Sequence, residues 1–477
     1  MPQTSTRPLV IDLDGTLINS DLLEESAFAF LLKNPLSFFK LLKWLKSGKA
    51  NLKEKLAKKV KIDVASLPYN QDVLDLIQEE RKNGRKIILA TASHKFYADQ
   101  IAQHLQIFDE VLATEGKINL SSQNKCDALV EKFGEKNFDY VGNSCDDLAV
   151  WAKSNRAYAV NPSRCVLKKA EALGNLEKVF SRKKSTLRIY AKALRLHQWV
   201  KNFLIFVPLL SSHKVGEIDL VFNGLLAFLF FGLCASHVYL FNDCIDLQND
   251  RTHKNKRFRP IPAGLISLPR ALILSFILLT TSFVGAFSLL PLWFGLSLVA
   301  YYFLTLAYSL FLKRIAILDI VTLAALYTMR IIAGTFAFGV LLTFWMLAFS
   351  MFIFLSLSLV KRYAELFEQR NQGKNEIAKG RGYYPSDLEM LSSLGASSGY
   401  LSIMVLALYI QDNTTVALYS HPKLIWFACP ILLYWISRIW MLTHRGQMHE
   451  DPVVFAIKDR VSWIVGILFG LIFWCAL

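Results

Sequence analysis

Apolar positions follow two regimes along this chain. Up to about residue 185 they form short β-rich runs, PLVIDLD at 8–14, KIILATAS at 86–93 and FDYVGNS at 138–144, separated by helical stretches such as 71–83 and 124–133. That alternation predicts a parallel sheet with crossover helices. An insert at about 21–66 reads as helical, with Phe28, Leu31, Leu32, Phe38, Phe39, Leu42 and Trp44 among several lysines. A small cap that packs its apolar face inward is the ordinary expectation for it; its basic, aromatic-rich character also suits a membrane interface.

Beyond the insert and the strands the pattern changes. SRKKST at 181–186 reads as a linker, and LRIYAKALRLHQWVKN at 187–202 as an amphipathic helix leading into a bilayer. Long apolar stretches follow near 200–212, 219–241, 270–289, 291–311, 316–336, 341–360, 388–410, 422–442 and 460–477. A membrane span needs roughly 20 apolar residues, so the first is short and the count is about nine. The expected architecture is an N-terminal α/β, Rossmann-like domain with a small helical cap, residues 1–185, followed by an all-α, multi-pass membrane domain, residues 186–477.

Composition supports the membrane class: 53% of the 477 residues are hydrophobic and 34 are Phe. A net charge of +16 first suggests nucleic acid. Its distribution points instead to cytoplasmic loops. With the N-terminus inside, those loops hold Arg251, Lys254, Lys256, Arg257, Arg259, Lys313, Arg314, Lys361, Arg362, Arg370, Lys374, Lys379, Arg381, Arg445, Lys458 and Arg460, against only Lys214 and Lys423 opposite. The N-terminus runs straight into a strand-like LVIDLDGT, with no signal-peptide pattern. The expectation is a multi-pass protein of the plasma (inner) membrane, its N-terminal domain and active sites cytoplasmic, with no nucleic-acid partner. Seven cysteines without a CxxC pair read as reduced packing residues.

The first candidate chemistry lies in FNDCIDLQNDRTHKNKRFRP, 241–260, where an apolar run ends in Asp243, Asp246 and Asp250 and a basic stretch follows. At helical pitch these offsets put all three carboxylates on one face. Like charges so close repel unless a cation sits among them, and magnesium held by few carboxylates keeps open positions for a phosphorylated ligand. In the N-terminal region DLDGT, 12–16, ends the first strand. An aspartate there can attack phosphorus, and a second carboxylate two residues on can protonate the leaving oxygen and later activate water.

With Thr91 after the second strand, Lys125 opening a helix and GNSCDD at 142–147, this ordered set resembles the haloacid dehalogenase superfamily over roughly 7–180. The resemblance implies Asp12 as nucleophile, Asp14 as acid/base, Thr91 and Lys125 as phosphate-binding groups, and magnesium at Asp12, Asp14 and Asp147. Asn143 stands where the family pattern has an aspartate; Asp146 is a possible replacement charge, and a catalytically weakened module is the alternative reading.

The NDxxDxxxD pattern, Asn242 included, resembles the first aspartate-rich motif of the UbiA superfamily of intramembrane prenyltransferases, over about 195–477. This implies that Asp243, Asp246 and Asp250 hold a diphosphate through magnesium. YSLFLKRIAILD, 308–319, supplies Tyr308, Lys313 and Asp319 but has Leu323 where a second acidic motif would continue. LVKRYAEL at 359–366, DPVVFAIKDR at 451–460 and QWVKN at 198–202 resemble the phosphoribosyl-transferring branch, although Leu196 and His197 depart from its pattern. His197 and His237 are expected as packing or interfacial residues.

On that reading Asp243 and Asp246 are catalytic through magnesium, Lys256 and Arg259 neutralise phosphate oxygens, and Lys313, Lys361, Arg362 and Arg460 anchor the sugar 5-phosphate and the lipid phosphate. The function expected is magnesium-dependent transfer of phosphoribose from phosphoribosyl pyrophosphate to polyprenyl phosphate, with the N-terminal domain removing the 5-phosphate of the product. The alternatives are prenyl transfer to an aromatic acceptor in quinone or haem synthesis, and a lipid-binding scaffold with decayed sites.

Overall fold

The computed structural model describes residues 7–116, 118–181, 186–373, 382–412, 419–448 and 451–477. Most of the expected linker, and the loop cations Lys374, Lys379 and Arg381, lie outside the described residues. The chain forms two compact units, Met1–Leu194 with Leu240–Leu274, and Arg195–Tyr239 with Ser275–Leu477. The segment after the aspartate-rich motif therefore belongs to the first unit, although in sequence it lies inside the membrane region.

The first unit is built on six parallel strands: β1 (Leu9–Ile11), β2 (Ile87–His94), β3 (Glu110–Thr114), β4 (Asp139–Gly142), β5 (Ala157–Val160) and β6 (Leu176–Phe180). Their order is β3-β2-β1-β4-β5-β6, with Val10 paired to Ile88 on one side and to Tyr140 on the other. Alternation along β1 sends Leu9 and Ile11 into one apolar core and Val10 into another, so both sheet faces are covered. The order reverses at β1, and the crevice beyond the carboxyl ends of β1, β2 and β4 is where such sheets bind ligands.

The insert forms three helices, Leu22–Lys33, Phe38–Lys46 and Lys49–Lys59. Leu52, Leu56 and Ala57 of the third are buried in the core with Leu22 of the first. The middle helix buries no residue. The outer two helices thus pack inward as expected, while the middle one rests on the core only through the partly buried Leu41 and Trp44.

Seven helices among the described residues are long and apolar enough to cross a membrane: Ile218–Ile245, Leu268–Leu289, Leu292–Leu310, Leu318–Phe338, Phe344–Asn371, Pro385–Gln411 and Pro422–His444. Pro452–Lys458 and Arg460–Ala476, bent by 87°, make an eighth if taken together. The stretch near 200–212 is not among them. The helix Thr186–Ala193 stops before Arg195, which adopts a left-handed conformation (φ 51°), and a 3-10 segment, Leu196–Phe206, leads into the short helix Val207–Ser211. This segment packs on helix Leu318–Phe338 so closely that a Cβ on Gly334 would lie 2.1 Å from the Ile205 carbonyl oxygen.

Candidate active sites

Asp12 follows β1, and its amide N–H donates to the Val141 carbonyl of β4 (3.0 Å), which fixes the start of the DLDGT turn. Lys125 Nζ donates to Asp12 Oδ1 (2.7 Å), and Thr16 Oγ1 donates to Oδ2 (3.2 Å). Asp14 Oδ1 accepts the amide of Leu22 (3.0 Å), and Oδ2 accepts Ser93 Oγ (2.7 Å). Thr91 is fully buried, its hydroxyl accepting the Ser93 amide (2.9 Å). Asp147 accepts the amides of Asn143 and Ser144 on Oδ2, each at 2.9 Å, and Tyr140 OH on Oδ1 (2.7 Å). Gly15 turns at φ +73°, and a Cβ there would lie 2.0 Å from Asn143 Nδ2. Asn143 thus faces the DLDGT turn, while Asp146 is exposed at the rim of the same cavity.

Burial raises the Asp12 carboxyl to about 6, against the pull of Lys125. Burial, with Asp21 nearby, raises Asp14 to about 7. For Lys125 burial works to lower the ammonium, but Asp12 and Asp147 outweigh it and hold it above its ordinary value. The site therefore pairs a carboxylate held on an ammonium with a carboxyl that keeps its proton near neutrality. Those are the properties a nucleophile and a general acid need.

The cavity over these groups has a volume of about 560 Å³, and its far wall comes from residues Leu247 to Arg270. Arg251 is the bolt of that wall: its guanidinium donates to Glu25 of helix Leu22–Lys33 through both Nη atoms (2.8 and 2.6 Å), and Nε donates to the Pro262 carbonyl (3.1 Å). Gly264 (φ +65°) meets the turn after the DLDGT stretch, since a Cβ there would lie 2.0 Å from the Asn19 carbonyl oxygen.

The aspartate-rich motif does not run as one uninterrupted helix. Helix Ile218–Ile245 ends, Asp246 caps the next, and Leu247–Thr252 carries Asp250. Asp243 and Asp250 are buried and converge on Arg259, whose Nη1 lies 3.1 Å from Asp243 Oδ1 and 2.6 Å from Asp250 Oδ2. Lys256 Nζ is 3.8 Å from Asp250. Asn242 and Asp246 are half-buried beside them.

In the second unit Asp451 gathers a buried polar cluster. Lys201 Nζ (2.6 Å), Lys361 Nζ (3.3 Å) and Tyr327 OH (3.1 Å) all reach its carboxylate. Arg330 donates to Asn202 Oδ1 (3.2 Å) and to Tyr301 OH (3.1 Å), and its guanidinium lies 5.7 Å from the Tyr327 ring. Two lysines thus share one carboxylate, with Arg330 beside the tyrosine bonded to it. Arg362 is paired with Asp319 (2.7 Å), which also accepts Tyr308 OH (3.0 Å). Lys313 sits half-buried in the turn Leu312–Arg314, and Arg460 is exposed at the start of its helix.

Among the described residues no three carboxylate, imidazole or thiol groups converge as a ready coordination shell. Cationic side chains take that place: Lys125 beside Asp12 and Asp147, and Arg259 between Asp243 and Asp250. The donors are hard carboxylate oxygens, with the Asn143 side chain on the DLDGT turn, which is the chemistry magnesium takes.

The model of the UbiA prenyltransferase family matches residues 203–459, more than half of the 477. The chain belongs to the UbiA prenyltransferase family. Its N-terminal part matches the haloacid dehalogenase-like hydrolases over residues 9–149. The uncharacterized protein y4nM of Sinorhizobium fredii is 38% identical over 98% of this chain and 90% of its own length. Nodulation protein NoeC of Azorhizobium caulinodans is 35% identical over 60% of this chain and 92% of its own. The decaprenyl-phosphate phosphoribosyltransferase of Mycobacterium tuberculosis is 32% identical over 58% of this chain and 90% of its own. A solved UbiA homolog from Archaeoglobus fulgidus bound to GPP and Mg2+ aligns with a TM-score of 0.46 at 16% identity, over 60% of this chain and 99% of that one.

Ser93, Lys201, Tyr327, Arg330 and Asp451 hold central places that the motif reading does not give them. Arg330 had a visible signal, a lone cation in the middle of an apolar stretch, where an ionisable residue is costly unless it has a task. Ser93 and Asp451 lie within runs that were read for other residues. Nothing local marks Tyr327.

Proposed function

We propose that this UbiA-family protein transfers phosphoribose from phosphoribosyl pyrophosphate to a polyprenyl phosphate, and that its haloacid dehalogenase-like domain removes the 5-phosphate from the lipid-linked product. The observation that carries the reading is the excess of positive charge beside Asp451, whose one carboxylate is shared by Lys201 and Lys361 while Arg330 stands at the ring of Tyr327, itself bonded to Asp451. Buried charge of one sign is costly unless a partner neutralises it, and a phosphate anion is such a partner. The similarity to a mycobacterial decaprenyl-phosphate phosphoribosyltransferase supports phosphoribosyl transfer to a polyprenyl phosphate.

In this reading Lys201, Lys361 and Arg330 hold one phosphate, with Lys313, Arg362 and Arg460 as further anchors and Tyr308 orienting the Asp319–Arg362 pair. An oxygen of the lipid phosphate forms the bond to ribose C1 as the bond from C1 to pyrophosphate breaks. Arg259 and Lys256 meet the negative charge that grows on the leaving group. Magnesium, held by Asp243, Asp246 and Asp250, supplies further neutralisation of the pyrophosphate when bound.

In the phosphatase half, Asp12 attacks the phosphorus while Asp14 gives its proton to the sugar O5, releasing the alcohol and leaving a phosphoaspartate. Asp14, now a carboxylate, takes a proton from water, which attacks that phosphorus and frees phosphate and Asp12. Lys125 holds Asp12 in place, Thr91 fixes the turn to Ser93, and Ser93 fixes Asp14. Asp12 and the Asn143 position would hold magnesium there, with Asp14 beside it carrying the proton, while Asp147, engaged by two amides and Tyr140, orders the turn. Both sites are assigned to the cytoplasmic side on the distribution of basic loop residues.

The test offers the purified full-length protein phosphoribosyl pyrophosphate with polyprenyl phosphate, and separately polyprenyl diphosphate with 4-hydroxybenzoate. The proposal expects lipid-linked ribose from the first pair only, lost in Asp243→Asn. A prenylated aromatic product from the second pair would replace it with the prenyltransferase reading.

A further inference from the structure

The middle helix of the cap, Phe38–Lys46, is anchored to the core by Leu41 and Trp44, the Trp44 ring resting 5.3 Å from that of Phe30. What it leaves outside is unusual for a solvent-facing helix. Phe39 is 72% exposed, Phe38 51%, and Leu36 in the preceding turn 77%, with Leu42 and Leu45 exposed beside them. Around this apolar patch stand Lys33, Lys40, Lys43, Lys46 and Lys49, all exposed, and residues 33–49 contain no Asp or Glu. Two bulky aromatic rings within a purely cationic surround are poorly matched to water and to any cationic surface.

We propose that helix Phe38–Lys46 is a lipid-docking surface that lies in the headgroup region of an anionic membrane. Such helices place aromatic and Leu side chains at the boundary between headgroups and acyl chains, about 5–10 Å deep, and their lysines on anionic headgroups. Each cation near an anionic surface adds to the attraction. A second copy of this chain would bring five more lysines against the same five, so self-association on this face is opposed by its own charge. A bilayer is also at hand, because the same compact unit contains the end of helix Ile218–Ile245 and the start of helix Leu268–Leu289, both long and apolar enough to span one.

The test uses the full-length protein reconstituted into vesicles, with the exposed Cys145, Cys165 and Cys475 replaced by Ser and an environment-sensitive fluorophore on Phe39→Cys. The same label on Lys169→Cys, an exposed residue elsewhere in the unit, gives the aqueous reference. In vesicles of phosphatidylglycerol and phosphatidylcholine the Phe39→Cys label is expected to shift to the blue of the Lys169→Cys label. Lipids brominated near the glycerol should quench it. Phosphatidylcholine alone should weaken both effects, as should the triple change Lys40→Gln, Lys43→Gln and Lys46→Gln in the mixed vesicles. A Phe39→Cys label as aqueous as the reference in the mixed vesicles overturns the proposal. So does a blue shift that follows protein density and ignores brominated lipid, which would assign the face to a second copy.

Discussion

Glu25 and Arg251, 226 positions apart in sequence, form a buried two-pronged ion pair with side-chain exposures of 4% and 3%. Glu25 lies one turn into the helix whose first amide holds Asp14, and Arg251 directly follows Asp250. One contact therefore links the phosphatase carboxylates to the aspartate-rich motif. Glu25→Gln leaves the guanidinium buried without its counter-ion, a change that typically costs about 3–5 kcal/mol. We expect Glu25→Gln to lower the melting temperature and to reduce both dephosphorylation and transfer. The exchange Glu25→Arg with Arg251→Glu should recover part of each loss. Recovery of neither, measured by both assays on one preparation, would mean that the contact is not what links them.

Magnesium binding at the phosphatase site should be linked to protons. Burial places Asp12 at about 6 and Asp14 at about 7 in the metal-free protein. A metal ligand must be deprotonated, so protons compete below those values and the competition fades as pH rises through them. Apparent magnesium affinity should climb steeply between about pH 5.5 and 7.5, and calorimetry in buffers of different ionisation enthalpy should register proton release at pH 6. A flat affinity over that range would place the metal away from these two carboxyls.

Asn143 tests whether this phosphatase is weakened or simply different. Its side chain faces the DLDGT turn at Gly15, so Asn143→Asp adds a carboxylate where a cation ligand is expected, with almost no change in volume. We expect tighter magnesium binding by several-fold and undiminished phosphatase turnover. Loss of turnover with retained fold would show that the amide itself has a role, for instance in avoiding repulsion with Asp12.

Order of reaction is read from the products. Asp12→Asn removes the nucleophile while leaving the residues around Asp451 untouched. Time-resolved mass spectrometry should show the wild type accumulating lipid-linked ribose and the variant stopping at the phosphorylated lipid, with its transfer rate within about two-fold. Identical products from both would separate the two activities.

Local chemistry was legible in the sequence and long-range chemistry was not. PLVIDLD, KIILATAS and FDYVGNS are strands, the first flanked by the other two, because each run is short, apolar and ended by turn residues. Asp12, Asp14 and Lys125 come together because a parallel sheet delivers strand ends to one edge. The three aspartates share one short stretch, as their spacing suggests, but the helix breaks at Asp246 and the cation between two of them belongs to Arg259. Pairs such as Glu25 with Arg251, or Lys201 with Asp451, depend on the tertiary fold and leave no periodic signal. The stretch near 200–212 forms a 3-10 segment and a short helix in place of one long helix, and Lys201 and Asn202 reach buried partners that no local pattern names.

Arg259 also sets what the aspartate-rich motif is able to capture. A bare divalent ion approaching Asp243 and Asp250 must displace a guanidinium already bonded to both. A cation arriving on a pyrophosphate brings acceptor oxygens of its own, so the displaced guanidinium exchanges one anion for another at little loss. On the proposed function the motif is in this sense an exchange site, one guanidinium offsetting part of the charge of two carboxylates until metal already complexed to pyrophosphate replaces it.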